Sequence, residues 1–135
     1  MRKIKLRRYG KSPRAKLIKE LDILWSRKIR TRDKWICQRC GKGGKISKGI
    51  HGAHIFSRNN YSTRWDLDNG ITLCMPCHYF WFHRSPMEAT IWIQEIWAEE
   101  KLGIRKFNQL KKKARGLSHY SLKDLEGIRK DLENG

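Results

Sequence analysis

The sequence predicts a small α+β fold: a strand–loop–strand–helix core drawn together by cysteines, with helices before and after it. Three observations carry this prediction. All four cysteines fall into two Cys-x-x-Cys pairs, Cys37/Cys40 and Cys74/Cys77. Two short β-compatible runs, 50–57 and 70–74, lie between or against the pairs. Outside this frame, apolar residues recur at helical spacing behind Ser-Pro or Ser-x-x-Asp starts. The 135 residues suit one domain. Hydrophobic residues at 39%, with six Trp, supply a modest core and exclude a chain that is only a disordered tail.

Taken in order, residues 1–12 form a basic arm. Ser12-Pro13 is a cap with proline at the first helical position, and it opens a helix over 13–32. Leu17, Leu21, Leu24 and Ile29 give that helix its stripe, which Ile18 and Trp25 widen. Residues 37–49 are glycine-rich, with Gly41 placed for a tight turn after Cys40. Between the strands runs a polar loop, 58–69, anchored by Tyr61, Trp65 and Leu67. A short helix follows Met75-Pro76. Ser85-Pro86 starts a helix over 86–102, with Met87, Ile91, Trp92 and Ile96 as its apolar positions and Gly103 as its stop. A basic helix covers 104–115. Ser121-x-x-Asp124 caps a last helix over 122–132. The domain thus runs from 13 to 103, with its core at 37–84, and 104–135 is a helical extension.

The formal charge is +18, and it is uneven. Residues 1–50 hold 18 Lys or Arg against three acids, Glu20, Asp22 and Asp33; the rest is nearly balanced. Such a run, with Arg2, Lys3, Lys5, Arg7 and Arg8 at its head, suits phosphates. Arg27 and Arg30 on the first helix extend it. An anionic membrane face fits less well, because that helix carries charge on most of its faces. No apolar run is long enough for a membrane span, and no signal peptide is visible, so the expectation is a soluble cytoplasmic protein with reduced cysteines.

Four thiolates in two knuckles suit a tetrahedral Zn²⁺. The alternatives are a redox dithiol, which usually occurs singly in a βαβ setting, or core thiols. Zinc would staple residue 37 to residue 77, so metal binding would be part of folding. Four of the five histidines, 51, 54, 78 and 83, sit in or just beyond this frame, and His119 is read as surface. A zinc-closed core would bring His54, Asn69 and His78 together. One imidazole can then act as general base and another can hold a divalent metal. The plainer alternative is a packed strand histidine at 54 and a zinc-proximal group at 78. His83 lies about 140° from His78 on an α-helix, hence off its face. His51 points away from His54 on a regular strand, unless Gly52 relaxes that rule. Arg58 and Arg64 flank the loop and could clamp phosphates. Among Tyr79, Phe80, Trp81 and Phe82, packing is favoured over base stacking.

The set Cys37-x-x-Cys40, Ala53-His54-Ile55, Asn69 and Leu73-Cys74-x-x-Cys77-His78 resembles the HNH endonucleases, the ββα-metal or His-Me finger fold. The intervals of 15 residues from His54 to Asn69 and 9 from Asn69 to His78 are similar to that family's. The stretches His54-Ile-Phe-Ser-Arg58, Thr63 to Asn69 and Tyr120 to Glu126 further resemble phage recombination endonucleases of the NinG type. The resemblance implies His54 as general base, Asn69 as its positioning residue and His78 as ligand of a catalytic Mg²⁺ or Mn²⁺. His51 and His83 are further ligand candidates, and the four cysteines hold structural zinc. It also implies hydrolysis of DNA, double-stranded or branched, in a bacterial or phage-infected cell. The sequence leaves the oligomeric state open, with a homodimer as one option, and nicking versus double-strand cleavage depends on it. One position departs from the pattern: where these enzymes often carry Asp or His as a metal ligand, this chain has Ala53. The rivals are a non-catalytic zinc-ribbon nucleic-acid-binding protein and an RNA- or ribosome-associated zinc protein.

Overall fold

The computed structural model describes residues 12–46 and 48–135. The basic residues Arg2, Lys3, Lys5, Arg7 and Arg8 lie outside the described residues. Helix α1 spans Pro13–Arg32, and its first turn is held by the Ser12 hydroxyl, which accepts the Ala15 N–H at 3.1 Å. Strands β1 (Ile50–His54) and β2 (Gly70–Cys74) pair antiparallel, with His54 opposite Gly70 and Ile50 opposite Cys74. The polar loop between them is ordered into a helical turn, α2 (Tyr61–Arg64), and a 3₁₀ turn, Leu67–Asn69. The Asp66 carboxylate starts that second turn by accepting the Asp68 N–H at 2.9 Å, a capping role.

Period-2 alternation gives the small sheet two faces. On one face lies α1. Gly70 must lack a side chain there, because a Cβ would stand 2.5 Å from the Ile29 side chain and 2.8 Å from Trp25. Thr72 on the same face donates its hydroxyl to the Ile29 carbonyl at 3.3 Å. On the other face, Ala53, Ile71 and Leu73 join a core with Trp81, Ala89, Ile93, Trp97 and Phe107. A second core joins Leu17, Leu21, Trp25 and Ile29 of α1 to Trp65 and to Leu125 and Leu132 of the C-terminal helix. The loop residues Tyr61 and Leu67 pack against this second core, and Trp65 is part of it.

After β2 the chain departs from α geometry. Residues Cys77–Phe82 form a π-helical turn, closed by the His83 N–H donating to the His78 carbonyl at 3.1 Å. Helix α3 (Pro86–Trp92) runs into a π-helical stretch, Ile93–Leu102, which Gly103 ends with φ 89°. The expected apolar positions of this segment are corrected here. Met87 is 77% exposed and Ile91 and Ile96 are also exposed, whereas Ala89, Ile93, Trp97 and Ala98 are buried. The buried row advances four residues at a time from Ala89 to Trp97, and wide π turns keep it facing inward. Of the expected four, Trp92 alone stays half-buried, edge-on to Trp81 with ring centres 5.4 Å apart. Helices α4 (Ile104–Ala114) and α5 (Leu122–Asn134) complete the chain, and Ser121 and Asp124 cap α5 reciprocally. Among the described residues, no helix is long and apolar enough to cross a membrane.

One ion pair ties α1 to the loop. Asp22 takes two hydrogen bonds from the Arg64 guanidinium, at 3.0 and 2.7 Å, and one from the Trp65 indole at 2.9 Å. Arg64 is only 6% exposed, so its charge has no solvent to fall back on. Replacing Asp22 by Ala strands a buried guanidinium and is expected to cost about 3 kcal/mol of stability. Denaturant unfolding of the zinc-loaded protein checks this, and a loss below about 1 kcal/mol would show the pair to be dispensable.

Candidate active site and metal centre

The first knuckle grows out of the turn that ends α1. The Cys37 N–H donates to the Lys42 carbonyl at 2.7 Å and the Gly41 N–H to the Cys37 carbonyl at 2.9 Å. Gly41 adopts φ 78°, which a glycine supplies without strain. Gln38 stitches this knuckle to the sheet through its N–H, donated to the Thr72 carbonyl at 2.9 Å. The second knuckle spans the end of β2 and the start of the π turn. All four sulfurs lie within 4.8 Å of one another, and Cys40 and Cys74 are 3.6 Å apart. Sulfurs about 2.3 Å from a tetrahedral zinc stand about 3.8 Å apart, so this donor set fits zinc.

The thiol chemistry agrees with a bound cation. Burial pushes Cys77 up to about 12, against the help of Arg39, and also raises Cys74. Burial opposes ionisation of Cys37 too, but backbone N–H donors at Cys40, Cys74 and Arg39 hold it down to about 7. Four thiolates do not share such a space unless a dication neutralises them. Arg39 braces the cluster from outside, 3.6 Å from the Cys77 sulfur and stacked 4.3 Å from the Trp81 ring centre.

A cleft of about 720 Å³ opens beside β1. Asp22, Trp25 and Ser26 of α1 form one wall, and His78, Phe82, His83 and α3 form the other, with His54 and Arg58 between them. His54 lies flat on Trp25, with ring centres 3.8 Å apart and planes 8° from parallel. Its Nε2 is 2.9 Å from the Arg64 carbonyl. A carbonyl only accepts, so Nε2 carries the proton and Nδ1 keeps the lone pair. Burial lowers the His54 pKa below 6.5, while the Arg64 carbonyl and Asp22 pull the other way. The ring is therefore neutral at neutral pH, as a general base must be.

Asn69 does not reach His54 with its side chain. It is fully buried and accepts the Phe56 N–H at 2.7 Å, while its amide donates to the carbonyls of Phe56 and Thr63, each at 3.0 Å. It fastens both ends of the loop and holds the backbone one residue before the carbonyl that grips His54. Its side-chain hydrogen bonds run to Phe56 and Thr63 of the loop and none to His54.

His78 stands at the centre of a histidine row. Its Nδ1 lies 3.0 Å from Nδ1 of His51, and its Nε2 lies 3.1 Å from Nε2 of His83. Here the expected separation of His83 is corrected: five residues make about 140° on an α-helix, but the π turn takes more residues per turn and swings His83 back beside His78. His51 does lie on the sheet face opposite His54, as strand alternation requires, and meets His78 on that side. Burial, with repulsion from His83, His51 and His54, lowers His78 to about 4, so it is a neutral, ligand-ready imidazole.

Two arginines differ from their expected use as phosphate contacts. Arg64 is spent on Asp22 inside the protein. Arg30 is stacked 4.4 Å from the Trp35 ring centre and reaches the carbonyls of Ser26 and Ile50. Arg58 and Arg27 are exposed, and Arg58 lines the cleft. In the aromatic run, Trp81 is buried, Phe82 half-buried, and Tyr79 and Phe80 exposed. Asp22 and Trp25 are the site residues that sequence reading missed. The one available signal for Asp22 was an acid on a strongly basic helix.

The α+β core carries four cysteines positioned to bind a metal ion, beside a cleft lined by histidines. Residues 37–79, roughly a third of the chain, match the family model for HNH endonuclease. No curated protein and no solved structure matches the chain. The match points to a nuclease and to DNA as its substrate class. The purified protein is expected to carry one zinc per chain, lost in Cys37→Ser, and elemental analysis checks this; a folded wild-type chain free of zinc would refute the assignment.

Proposed function

We propose that the chain is a metal-dependent DNA endonuclease that hydrolyses a phosphodiester bond in the His54 cleft. The observation that carries this reading is the pairing, within one cleft, of a neutral carbonyl-fixed imidazole at His54 with the His78/His83 nitrogens 3.1 Å apart. Those two nitrogens would hold a divalent ion, since cis ligands at about 2.1 Å stand about 3 Å apart. Bound there, Mg²⁺ or Mn²⁺ would polarise the scissile phosphate and stabilise the leaving oxygen.

The rest of the work falls to the chain. Nδ1 of His54 takes a proton from water as the water oxygen attacks phosphorus. The leaving sugar oxygen departs and is protonated by solvent. The imidazolium formed at His54 is stabilised by its Nε2–H bond to the Arg64 carbonyl and by the Asp22 charge. Trp25 fixes the ring plane, so the base does not wander from the attack line. Arg58 at the rim and Arg27 on α1 would hold the phosphate backbone without reading sequence, and the basic N-terminal residues would add positive charge to that grip. The NinG-like stretches favour branched recombination DNA, in a phage or prophage setting, as the form cut. Ala53 supports the competing reading, a zinc protein that binds nucleic acid without cutting, because it is buried and offers no ligand.

The His54→Ala variant separates the two. It is expected to bind DNA within about twofold of wild type yet cut at least about 100-fold more slowly. Because protonation removes the Nδ1 lone pair, the wild-type rate should stay level through neutrality and fall only below about pH 6.5, about tenfold per unit below the lowered pKa. Cleavage retained by His54→Ala, or a rate already falling between pH 8 and 7, would remove His54 from the role of base.

A further inference from the structure

His51 has no part in the chemistry above, yet its Nδ1 lies 3.0 Å from Nδ1 of His78. A neutral imidazole owns one N–H and one lone pair. His78 is engaged on both nitrogens, so the row His51–His78–His83 can be satisfied in two directions only. In one, His51 donates to His78 and His78 donates to His83. In the other, His83 donates to His78 and the Nδ1–H of His78 donates to His51. A metal ion shared by Nε2 of His78 and Nε2 of His83 needs both of those lone pairs. That requirement places the His78 proton on Nδ1, where the acceptor within reach is Nδ1 of His51.

We infer that His51 is a positioning residue for the cleft metal: it accepts the Nδ1–H of His78, fixes its tautomer and turns Nε2 toward His83. The inference rests on the reading of His78 and His83 as the metal pair. Metal-binding histidines commonly donate their second N–H to a carboxylate, a carbonyl or water, and loss of that partner typically costs 10–100-fold in metal affinity. In this chain a second imidazole fills the place. The surroundings suit the role. His51 is held by its pairing with Leu73 across the sheet, and its ring meets Tyr79 edge-on at 5.4 Å between centres, with planes 66° apart. Tyr79 in turn stacks on His78, 4.9 Å away and 20° from parallel. The two imidazoles are therefore held in their mutual orientation by backbone and aromatic contacts. His51 is absent from the cleft lining, whereas His54, His78 and His83 all line it. It thus stands behind His78 on the side away from the proposed metal.

The test is calorimetric titration of Mn²⁺ into the chain carrying its structural zinc, for wild type, His51→Phe, His51→Asn and His83→Ala. His51→Phe should weaken Mn²⁺ binding about 10–100-fold. His51→Asn keeps an acceptor oxygen near the place of Nδ1 and should recover affinity to within a few-fold of wild type, which a merely structural loss would not do. Nitrogen NMR of His78, with a second equivalent of Zn²⁺ as diamagnetic probe, should show a protonated Nδ1 and a ligated Nε2. Equal Mn²⁺ affinity in wild type and His51→Phe would overturn the inference while leaving the metal pair standing, whereas a ligated Nδ1 on His78 would overturn both. Mn²⁺ binding that is indifferent to His83→Ala, or absent from wild type, would overturn the metal pair and the inference with it.

Discussion

Four cysteine sulfurs within 4.8 Å of one another are the constraint on which the site depends. They join the turn that leaves α1 to the end of β2, segments that hydrogen bonds of Arg32 and Asp33 with β2 also bring together. Two strands alone are marginal in water. A cation on these thiolates supplies what the thin core lacks, and it does so at the position that matters. His78 is the residue next to Cys77, so the staple that closes the fold also sets the start of the π turn and the row of histidines on it. The cluster and the cleft are one construction.

The other half of the cleft is set by α1, a helix that sequence reading assigns to phosphate contacts. Its inward side does something different. Asp22 neutralises the buried Arg64, and Trp25 lies under the His54 ring. Asn69 ties the same loop from below. The Arg64 backbone carbonyl that fixes the His54 tautomer therefore sits on a loop fastened from two directions. This is how a strand histidine in a small protein is kept neutral, flat and single in orientation. Preorganisation of that kind is what general-base chemistry needs, since a base that must be oriented at each turnover gives up much of its advantage.

Much of this was legible in the sequence, and the rest was hidden for identifiable reasons. The two Cys-x-x-Cys pairs place all four metal-facing sulfurs, because that spacing closes a turn almost regardless of context. The Ser12 and Ser121 caps start their helices where expected, because capping is local chemistry. Helical angles mislead in two ways. The separation of His83 from His78 assumes 3.6 residues per turn, which the π-helical turn at Cys77–Phe82 breaks. Met87 and Ile91 lie in the α-helical part of their segment and Ile96 in its π-helical part, and all three are exposed because the packed row is Ala89, Ile93 and Trp97. Arg64 was misread for another reason: only tertiary packing reveals that its partner, 42 residues earlier, is Asp22. The sequence leaves two uses of the Asn69 amide side by side, and its three hydrogen-bond partners, at Phe56 and Thr63, emerge only from the folded loop.

Net charge bears on the partner, not the reaction: a +18 chain with most of its excess in the first 50 residues suits a phosphate-bearing partner, whether cut or merely bound. Cutting is the claim of the cleft. The measurement that bears on it most directly is strand scission by the purified zinc-loaded chain on duplex, single-stranded, nicked and four-way-junction DNA, with and without added Mg²⁺ or Mn²⁺. The account predicts scission of at least one of these forms, dependent on the added ion while the structural zinc stays bound. A folded, zinc-loaded protein that binds these DNAs and cuts none of them with either ion would contradict it.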